Sequence, residues 1–169
     1  SVSYYNIHGL LPRKDKIWVG TFEHGLDVLD RKSGLVIKHY SANDPSTGLR
    51  SNFIFSFAET KNKDLIVVTT MGIYRYNEQN DNYDILKMFP ETTHYTVFKE
   101  DSDGNYWAGS YRDGLFFYNS KTHKKEVFIY DYKNPDGISN NSINSIFEDS
   151  HKNLWFATEN GLNLFDKKT

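Results

Sequence analysis

The 169-residue sequence contains no cysteine, so disulfides, thiolate metal ligands and cysteine nucleophiles are all excluded. It also lacks an excess of basic residues. Because 20 Lys and Arg stand against 22 Asp and Glu, nucleic acid is not expected as a partner. No apolar run approaches the roughly 20 residues that a membrane-spanning helix needs. A membrane is therefore expected only through a parent protein, and the start at Ser1 suggests an excised segment.

Aromatic residues, by contrast, are abundant, with 12 Tyr and 12 Phe contributing to an aromatic fraction of 16%. Aromatic and β-branched side chains fit pleated, half-buried sheet surfaces better than helices, so the composition favours an all-β fold. A chain of this length buries roughly 70% of its unfolded surface around one core. A single domain spanning 1–169 is therefore expected.

A four-fold repeat runs along the chain. Each copy has a short apolar run B, then a glycine, then an apolar run C that ends in Asp or Asn. The glycines, at intervals of 47, 42 and 47 residues, are Gly25, Gly72, Gly114 and Gly161. The ends of run C, five residues later, are Asp30, Asn77, Asn119 and Asp166. Run B carries Trp18, Trp107 and Trp155 in three copies, and this repetition marks the tryptophans as core residues.

Two further runs complete each copy. A spaced apolar pair upstream of run B marks a strand A, and a polar stretch suited to a hairpin turn connects the two. The apolar pairs are Ile7 and Leu10, Ile54 and Phe57, Tyr95 and Phe98, and Ile143 and Ile146. After run C, a strand D is predicted at 36–40, 83–89 and 126–130. Each copy therefore predicts four antiparallel strands, A to D.

A repeat of about 40 to 45 residues with four antiparallel strands is typical of a β-propeller blade. The predicted fold is an all-β propeller of about four blades. The blades are 4–49, 50–91, 92–138 and 139–169, and the last lacks its outer strand. Helical repeats fit poorly, because the apolar runs are short and interrupted by Gly, Asn and Asp. The glycine before strand C is expected to need a positive φ or a close backbone approach.

The stretch 148–166, with Glu-Asp-Ser, Asn-Leu-Trp and Glu-Asn-Gly-Leu in order, resembles the two-component regulator propeller repeat. The D-to-A connections 43–49 and 134–138 support this resemblance, with Ser-Asn following at 51–52 and 139–140. Copy two departs from the pattern at Ile66 and Val68, where Trp and Gly are usual.

The resemblance implies the periplasmic sensor region of a Bacteroidetes hybrid histidine kinase. Such sensors typically detect oligosaccharides and signal across the membrane. It further implies that this segment is not an enzyme and that a kinase lies elsewhere in the parent protein.

Motifs for chemistry are sparse. The six histidines show no paired spacing typical of metal sites, and no cofactor is expected. The stretch 100–107 is reminiscent of the Asp-box turn of sialidases, although a polar hairpin turn is the preferred interpretation. Glu23, Asp113 and Glu159 leave open a glycosidase or lyase, which needs two facing carboxyls. A stand-alone scaffold for protein interactions is the other alternative.

The B-to-C and D-to-A loops of a propeller share one face, where binding residues concentrate. We expect the ligand site in these loops. The candidate residues are Phe22, Glu23, His24, Arg50, Asn52, His94, Tyr111, Arg112, Asp113, Asn141, Glu159 and Asn160. Because open sheet edges invite pairing, self-association of the terminal blades is also expected, unless the remaining blades of the parent cover them.

Overall fold

The structure is a computed structural model that describes residues 2–165 and 167. Across these residues it contains fifteen β-strands and one short 3-10 turn at Pro45–Thr47. The chain divides into two compact units, Ser1–Thr92 and Thr93–Thr169. These are called the first and second units below. The expectation that the two units belong to a single domain spanning 1–169 stays a prediction.

The first unit holds two four-stranded sheets in which each strand pairs antiparallel with the next along the chain. The first sheet consists of β1 (Ile7–Arg13), β2 (Lys16–Thr21), β3 (Leu26–Asp30) and β4 (Val36–Tyr40). The second consists of β5 (Ile54–Glu59), β6 (Leu65–Thr69), β7 (Ile73–Asn77) and β8 (Asn82–Ile85). Each sheet therefore has the predicted strands A to D in order.

The second unit repeats this plan. Its first sheet consists of β9 (Tyr95–Glu100), β10 (Tyr106–Ser110), β11 (Leu115–Tyr118) and β12 (Lys125–Phe128). Its other sheet consists of β13 (Ile143–Glu148), β14 (Leu154–Thr158) and β15 (Gly161–Phe165). The described residues thus give the last sheet three strands, and the predicted strand end at Asp166 lies outside them.

The predicted strands are confirmed, including the apolar pair at the start of every strand A. Two D strands end earlier than expected. β8 stops at Ile85 because the chain turns after it, with Phe89 N–H donating to the Leu86 carbonyl at 3.4 Å. β12 stops at Phe128 rather than Tyr130. The Leu10 side chain is exposed although its strand position is as predicted.

The landmark glycines open strand C with positive φ, as predicted. Gly25 has φ +76°, and a Cβ placed on it would lie 2.1 Å from the Tyr40 carbonyl oxygen at the end of strand D. Gly161 has φ +119°, but its nearest neighbour would be Ser139 Oγ at 3.6 Å. The difference follows from the last sheet, whose described residues provide no fourth strand to crowd this glycine.

Every strand A contains a β-bulge at its second residue. In the first sheet Ile7 pairs with Thr21 and Gly9 with Gly20, which leaves His8 unpaired. The same register shift occurs in the other three sheets. The bulge residues are His8, Phe55, Thr96 and Asn144.

The tryptophans of the second unit are tied to the A-to-B turns. The indole N–H of Trp107 donates to Asp101 at 3.0 Å, and that of Trp155 donates to Asp149 at 2.9 Å. The same carboxylates accept backbone N–H groups inside their turns, for example from Asn105 at 2.9 Å. The hydrogen bond from Trp155 is the main reason that the pKa of Asp149 falls to about 2. The stretch 100–107 thus contains a polar hairpin turn between β9 and β10.

The cores lie between the two sheets of each unit. Trp18 and Trp107 are buried, as expected for core residues. Trp155 is only half-buried, so its assignment to the core was wrong in part. It shares a sheet face with Phe147 and Leu164, its cross-strand partners, and both of these are exposed. The described residues provide no further sheet to cover this face.

Candidate functional site

The B-to-C and D-to-A loops meet within each unit, as the sequence predicts. In the first unit, Gly25 N–H donates to the Asn52 carbonyl at 2.8 Å. In the second unit, Gly114 N–H donates to the Asn141 carbonyl at 3.1 Å and Tyr111 N–H to His94 at 2.9 Å. The candidate side chains therefore lie on loops that these backbone hydrogen bonds hold in place.

Two candidates of the first unit lie beside Tyr4. The His24 ring stacks on Tyr4, with centroids 4.1 Å apart and planes 14° from parallel. The Tyr4 hydroxyl donates to Glu23 at 3.4 Å. A hydrogen bond with Tyr5 is the largest of several effects that raise the pKa of Tyr4 to about 12, so the phenol is neutral. Glu23 and His24 are exposed, and the pair offers a flat ring surface beside a carboxylate.

Phe22 belongs to a second aromatic group in the same unit. It stacks on the bulge residue His8 at 4.9 Å and meets Phe53 edge-on at 4.9 Å. The neighbouring bulge residue Phe55 contacts His8 at 5.3 Å. Phe22 is half-buried, so it both packs against the sheet and presents part of its ring.

Arg50 is exposed but already has a partner. Its guanidinium forms a 2.8 Å salt bridge with Glu91. A ligand would have to compete with that carboxylate, so Arg50 is a weaker candidate than its exposure alone suggests.

The second unit combines a histidine, a tyrosine and an arginine. His94 and Tyr111 stack with centroids 5.0 Å apart, and the Arg112 guanidinium lies 5.0 Å from the Tyr111 ring centroid. Burial lowers the pKa of His94, although the nearby Asp113 acts in the opposite direction. His94 is therefore neutral at pH 7, and Arg112 carries the positive charge of this group.

The candidate carboxylates are divided between the two units. Glu23 lies in the first unit, whereas Asp113 and Glu159 lie in the second. Asp113 and Glu159 are exposed, and no hydrogen bond joins these two side chains within the described residues. Asn160 is exposed beside Glu159, and its backbone N–H is held by Thr158 Oγ1 at 3.1 Å. The three carboxylates are thus placed on loops where they can make polar ligand contacts.

Asn52 and Asn141 hold their own loops in place. The Asn52 side-chain oxygen accepts from Ala42 N–H at 2.7 Å, and that of Asn141 accepts from Tyr130 N–H at 2.7 Å. These two asparagines are therefore equivalent, and the Ser-Asn pair at 139–140 lies one position earlier in its loop than the pair at 51–52. Both side chains act first as loop braces.

Sequence reasoning missed a polar position in strand C, two residues after the landmark glycine. Asp27 is fully buried, and it accepts from Ser3 N–H at 2.5 Å and contacts His39 Nδ1 at 2.7 Å. Asn163 occupies the same position and accepts from Ser139 N–H at 2.9 Å. Both side chains anchor the segment that leads into strand A. The signal was a polar residue inside an apolar run.

No cluster of three His, Asp or Glu side chains suited to a metal ion occurs within residues 2–165 and 167. The same part of the chain contains no helix with the length and apolarity needed to span a membrane.

Sequence comparison gives two matches. The profile of the two-component regulator propeller matches residues 137–160. Histidine kinase P4 of Formosa agariphila is 32% identical over 100 residues, which cover 54% of this chain and 7% of the kinase. The chain therefore spans a small part of this relative.

Solved structures share the fold. An extracellular domain ascribed to a hybrid two-component system of B. thetaiotaomicron is 22% identical, with a TM-score of 0.71 over 90% of this chain and 19% of its own. Virginiamycin B lyase from Staphylococcus aureus is 12% identical, with a TM-score of 0.63 over 97% and 56% respectively. At these identities the likeness concerns the fold alone, and it confirms the predicted β-propeller.

Proposed function

Because residues 137–160 match the two-component regulator propeller repeat, we propose that this chain is a sensing segment of a hybrid two-component histidine kinase. In this proposal the propeller lies in the periplasm, binds an oligosaccharide and passes a signal across the membrane through the parent protein. The kinase relative and the extracellular domain with the same fold support this proposal. The chain itself supplies binding, and the parent supplies catalysis.

The observation that carries the proposal is the pair of ring stacks in the loops, Tyr4 on His24 and Tyr111 on His94. A sugar ring presents an apolar C–H face, which packs on an aromatic ring, and hydroxyls around its edge. Arg112 and Glu23 lie beside the stacks and are suited to hydrogen-bond such hydroxyls.

Calorimetric titration with a panel of oligosaccharides tests the proposal. For a sugar that binds, Tyr111→Ala and Arg112→Ala should each weaken affinity at least about tenfold, which corresponds to about 1.4 kcal/mol. Both residues are exposed, so the free energy of unfolding should change by no more than about 0.5 kcal/mol. Lys152→Ala, in an exposed A-to-B turn, is the matched control and should change neither quantity.

Product analysis of the same mixtures separates sensing from catalysis. We expect the sugar to be recovered intact after long incubation. Cleavage that is lost in Glu159→Gln or Asp113→Asn would contradict the sensing role and support the glycosidase or lyase alternative. Failure of every sugar, together with specific binding of a protein partner, would support the scaffold alternative.

A further inference from the structure

The tryptophans of strand B differ in whether the turn before them provides a hydrogen-bond acceptor. In the second unit, the indole N–H of Trp107 donates to Asp101, six residues earlier, in the turn at 101–105. In the first sheet the turn between strands A and B is reduced to residues 14–15. The residue six positions before Trp18 is Pro12, whose side chain cannot accept a hydrogen bond. The first blade therefore lacks the aspartate that binds the indole.

Trp18 nevertheless has the orientation of Trp107. It stacks on Tyr40 at 6.1 Å and 18°, and Trp107 stacks on Phe128 at 6.0 Å and 21°. The Trp18 indole N–H therefore also faces its A-to-B turn. Trp18 is only 4% exposed, and nothing in the described part of the chain accepts a hydrogen bond from its N–H group. A donor this deeply buried favours an acceptor from outside the chain.

A cleft of about 460 Å³ lies where such an acceptor would enter. It is lined by Trp18, by the first A-to-B turn and by the residues that follow β7, so it lies between two sheets that each have four strands. Lys14 and Lys16 line it from the turn, and neither forms an ion pair within residues 2–165 and 167. Arg13 also lines it but forms a 3.3 Å salt bridge with Glu59. Two lysine charges are thus available in the cleft.

The equivalent junction of the second unit is bridged by an ion of the opposite sign. The Lys167 ammonium group lies 3.1 Å from Asp101, 3.1 Å from Asp103 and 2.8 Å from Glu148. Lys167 is the sixth residue after its landmark glycine, and in the first unit the sixth residue is Glu78. The turn there is basic, so the charges are reversed. Glu78 is exposed and makes no hydrogen bond or ion pair to any described residue. An anion that would correspond to the Lys167 ammonium is therefore not supplied by Glu78.

We propose that this cleft binds the carboxylate group of a ligand, which accepts a hydrogen bond from the Trp18 indole N–H and is flanked by Lys14 and Lys16. A carboxylate fits because the indoles of the second unit are bound by carboxylates. The A-to-B turns lie at the opposite end of the strands from the B-to-C loops. The cleft is therefore separate from the loop site, and this inference does not rest on the proposed function.

The acidic side chains of the cleft favour a ligand group with a single negative charge. Asp15 and Glu78 line the cleft and are exposed, so they would repel a dianion such as phosphate more than a carboxylate. Asp81 also lines the cleft, but Lys38 at 2.5 Å and two tyrosine hydroxyls already bind its carboxylate.

Nuclear magnetic resonance of the full chain, labelled with ¹⁵N, tests the proposal at the Trp18 indole itself. The probes are D-glucuronate, for an acidic sugar, and N-acetylglycine, for a peptide C-terminus. We expect a saturable shift of the Trp18 indole N–H signal with at least one of them, and the probe that binds identifies the source of the carboxylate. The indole signals of Trp107 and Trp155 should not move, because both groups already donate to aspartate.

Neutral analogues are the matched ligand controls. D-glucose and N-acetylglycinamide lack the carboxylate and should not shift the Trp18 signal. The absence of a saturable shift with both acids, or the same shift with an acid and its neutral analogue, would overturn the proposal.

Three protein variants locate the binding. Lys16→Gln removes one of the two available charges and should weaken affinity for the acid at least about fivefold. Lys152→Gln changes an exposed lysine of another A-to-B turn and should leave affinity unchanged. Glu78→Gln removes a repelling charge and should strengthen affinity several-fold. Equal affinity of Lys16→Gln and Lys152→Gln would overturn the proposal. So would a shift of the Trp18 signal in ligand-free Glu78→Gln as large as the acid produces, because Glu78 would then be the acceptor.

Discussion

The aromatic clusters of the two units have the same ring geometry but different surroundings. In the first unit, Trp18 packs against Tyr40 and Tyr76, Tyr83 lies beside these two tyrosines, and Asp81 accepts hydrogen bonds from their hydroxyls. In the second unit the rings beside Trp107 at the same strand positions are Phe128 and Phe165, and the described residues include no fourth strand that would carry a counterpart of Tyr83. Trp18 stacks on Tyr40 at 18° and Trp107 on Phe128 at 21°. Since these interplanar angles agree without a counterpart of Tyr83 among the described residues, the sheets position the rings.

The polar groups of the two clusters also differ. Asp81 is held by Lys38 at 2.5 Å and by both tyrosines. Burial opposes its ionisation, but these hydrogen bonds prevail and lower the pKa of Asp81 to about 2. In the second unit the acids that bind aromatic side chains lie in the A-to-B turns, where Asp101 and Asp149 accept from the indole N–H groups of Trp107 and Trp155. Four changes can break or sharpen this comparison.

The glycine before strand C should give the largest contrast. Gly25→Ala places a Cβ 2.1 Å from a carbonyl oxygen at a positive φ, so strain and overpacking together should cost roughly 4 kcal/mol. Gly161→Ala is strained by the positive φ but not by crowding of its Cβ, so it should cost about 1 kcal/mol. Urea unfolding of both variants measures the two free energies. Equal losses of the free energy of unfolding would show that crowding by strand D is not the reason that a glycine is needed before strand C.

Ring truncation should give the next contrast. Tyr83→Ala empties a buried site and should lower the free energy of unfolding by about 3 kcal/mol. Phe165→Ala removes a ring that is 38% exposed beside an open cleft, so the loss should be about 1 kcal/mol. Thermal unfolding with calorimetry is suited to both. A larger loss for Phe165→Ala would mean that the second cluster is closed in solution.

The turns offer a smaller contrast. Asp101→Ala leaves the buried indole N–H of Trp107 without its acceptor and should cost about 2 kcal/mol. Thr60 has the equivalent place in the first unit, where Ile66 replaces the tryptophan and the Thr60 hydroxyl accepts from Asp64 N–H at 3.0 Å. Thr60→Ala should therefore cost about 1 kcal/mol. The double variant Asp101→Ala with Trp107→Phe should recover part of the loss, and additive losses would contradict the coupling.

Acid should act on the first unit through Asp81. Because its folded pKa is about 2 and its ordinary value is 3.8, Asp81 adds stability above pH 3.8 that is lost as the pH falls toward 2. Asp81→Asn should therefore flatten the pH dependence of amide-exchange protection in the first unit over that range. The second unit, where Asp149 has the same direction of shift, should keep its dependence. If the pH dependence of protection in the first unit is unchanged in Asp81→Asn, Asp81 is not the group responsible for it.

Much of the fold could be predicted from the sequence, because the glycine, the apolar pair and the tryptophan run recur at fixed spacing. The glycine role followed from local backbone geometry alone. The half-buried state of Trp155 could not be predicted in this way, since repetition shows a position in the blade but not what covers that blade. The burial of Trp155 depends on whether a neighbouring sheet packs on its face.

The candidate site was predictable as a set of loops but not as contacts. Tyr111 and Arg112 follow strand B, so their exposure on a loop was expected, and the structure adds the stack on His94. Asn52 and Asn141 carry side chains suited to ligands, yet both bind their own loops. Such tertiary hydrogen bonds join residues distant along the chain and leave no spacing signal.

Most strand positions must both pair with the neighbouring strand and fit the core. The bulge at the second residue of every strand A takes that one residue out of the regular ladder. Its flanking residues keep the ladder and the core, as Ile54 does beside Phe55 and Ile143 beside Asn144. The bulge residue lies outside the regular ladder register, and the four copies carry imidazole, phenyl, hydroxyl and amide groups there. One backbone plan therefore presents a different chemical group at the same place in each blade.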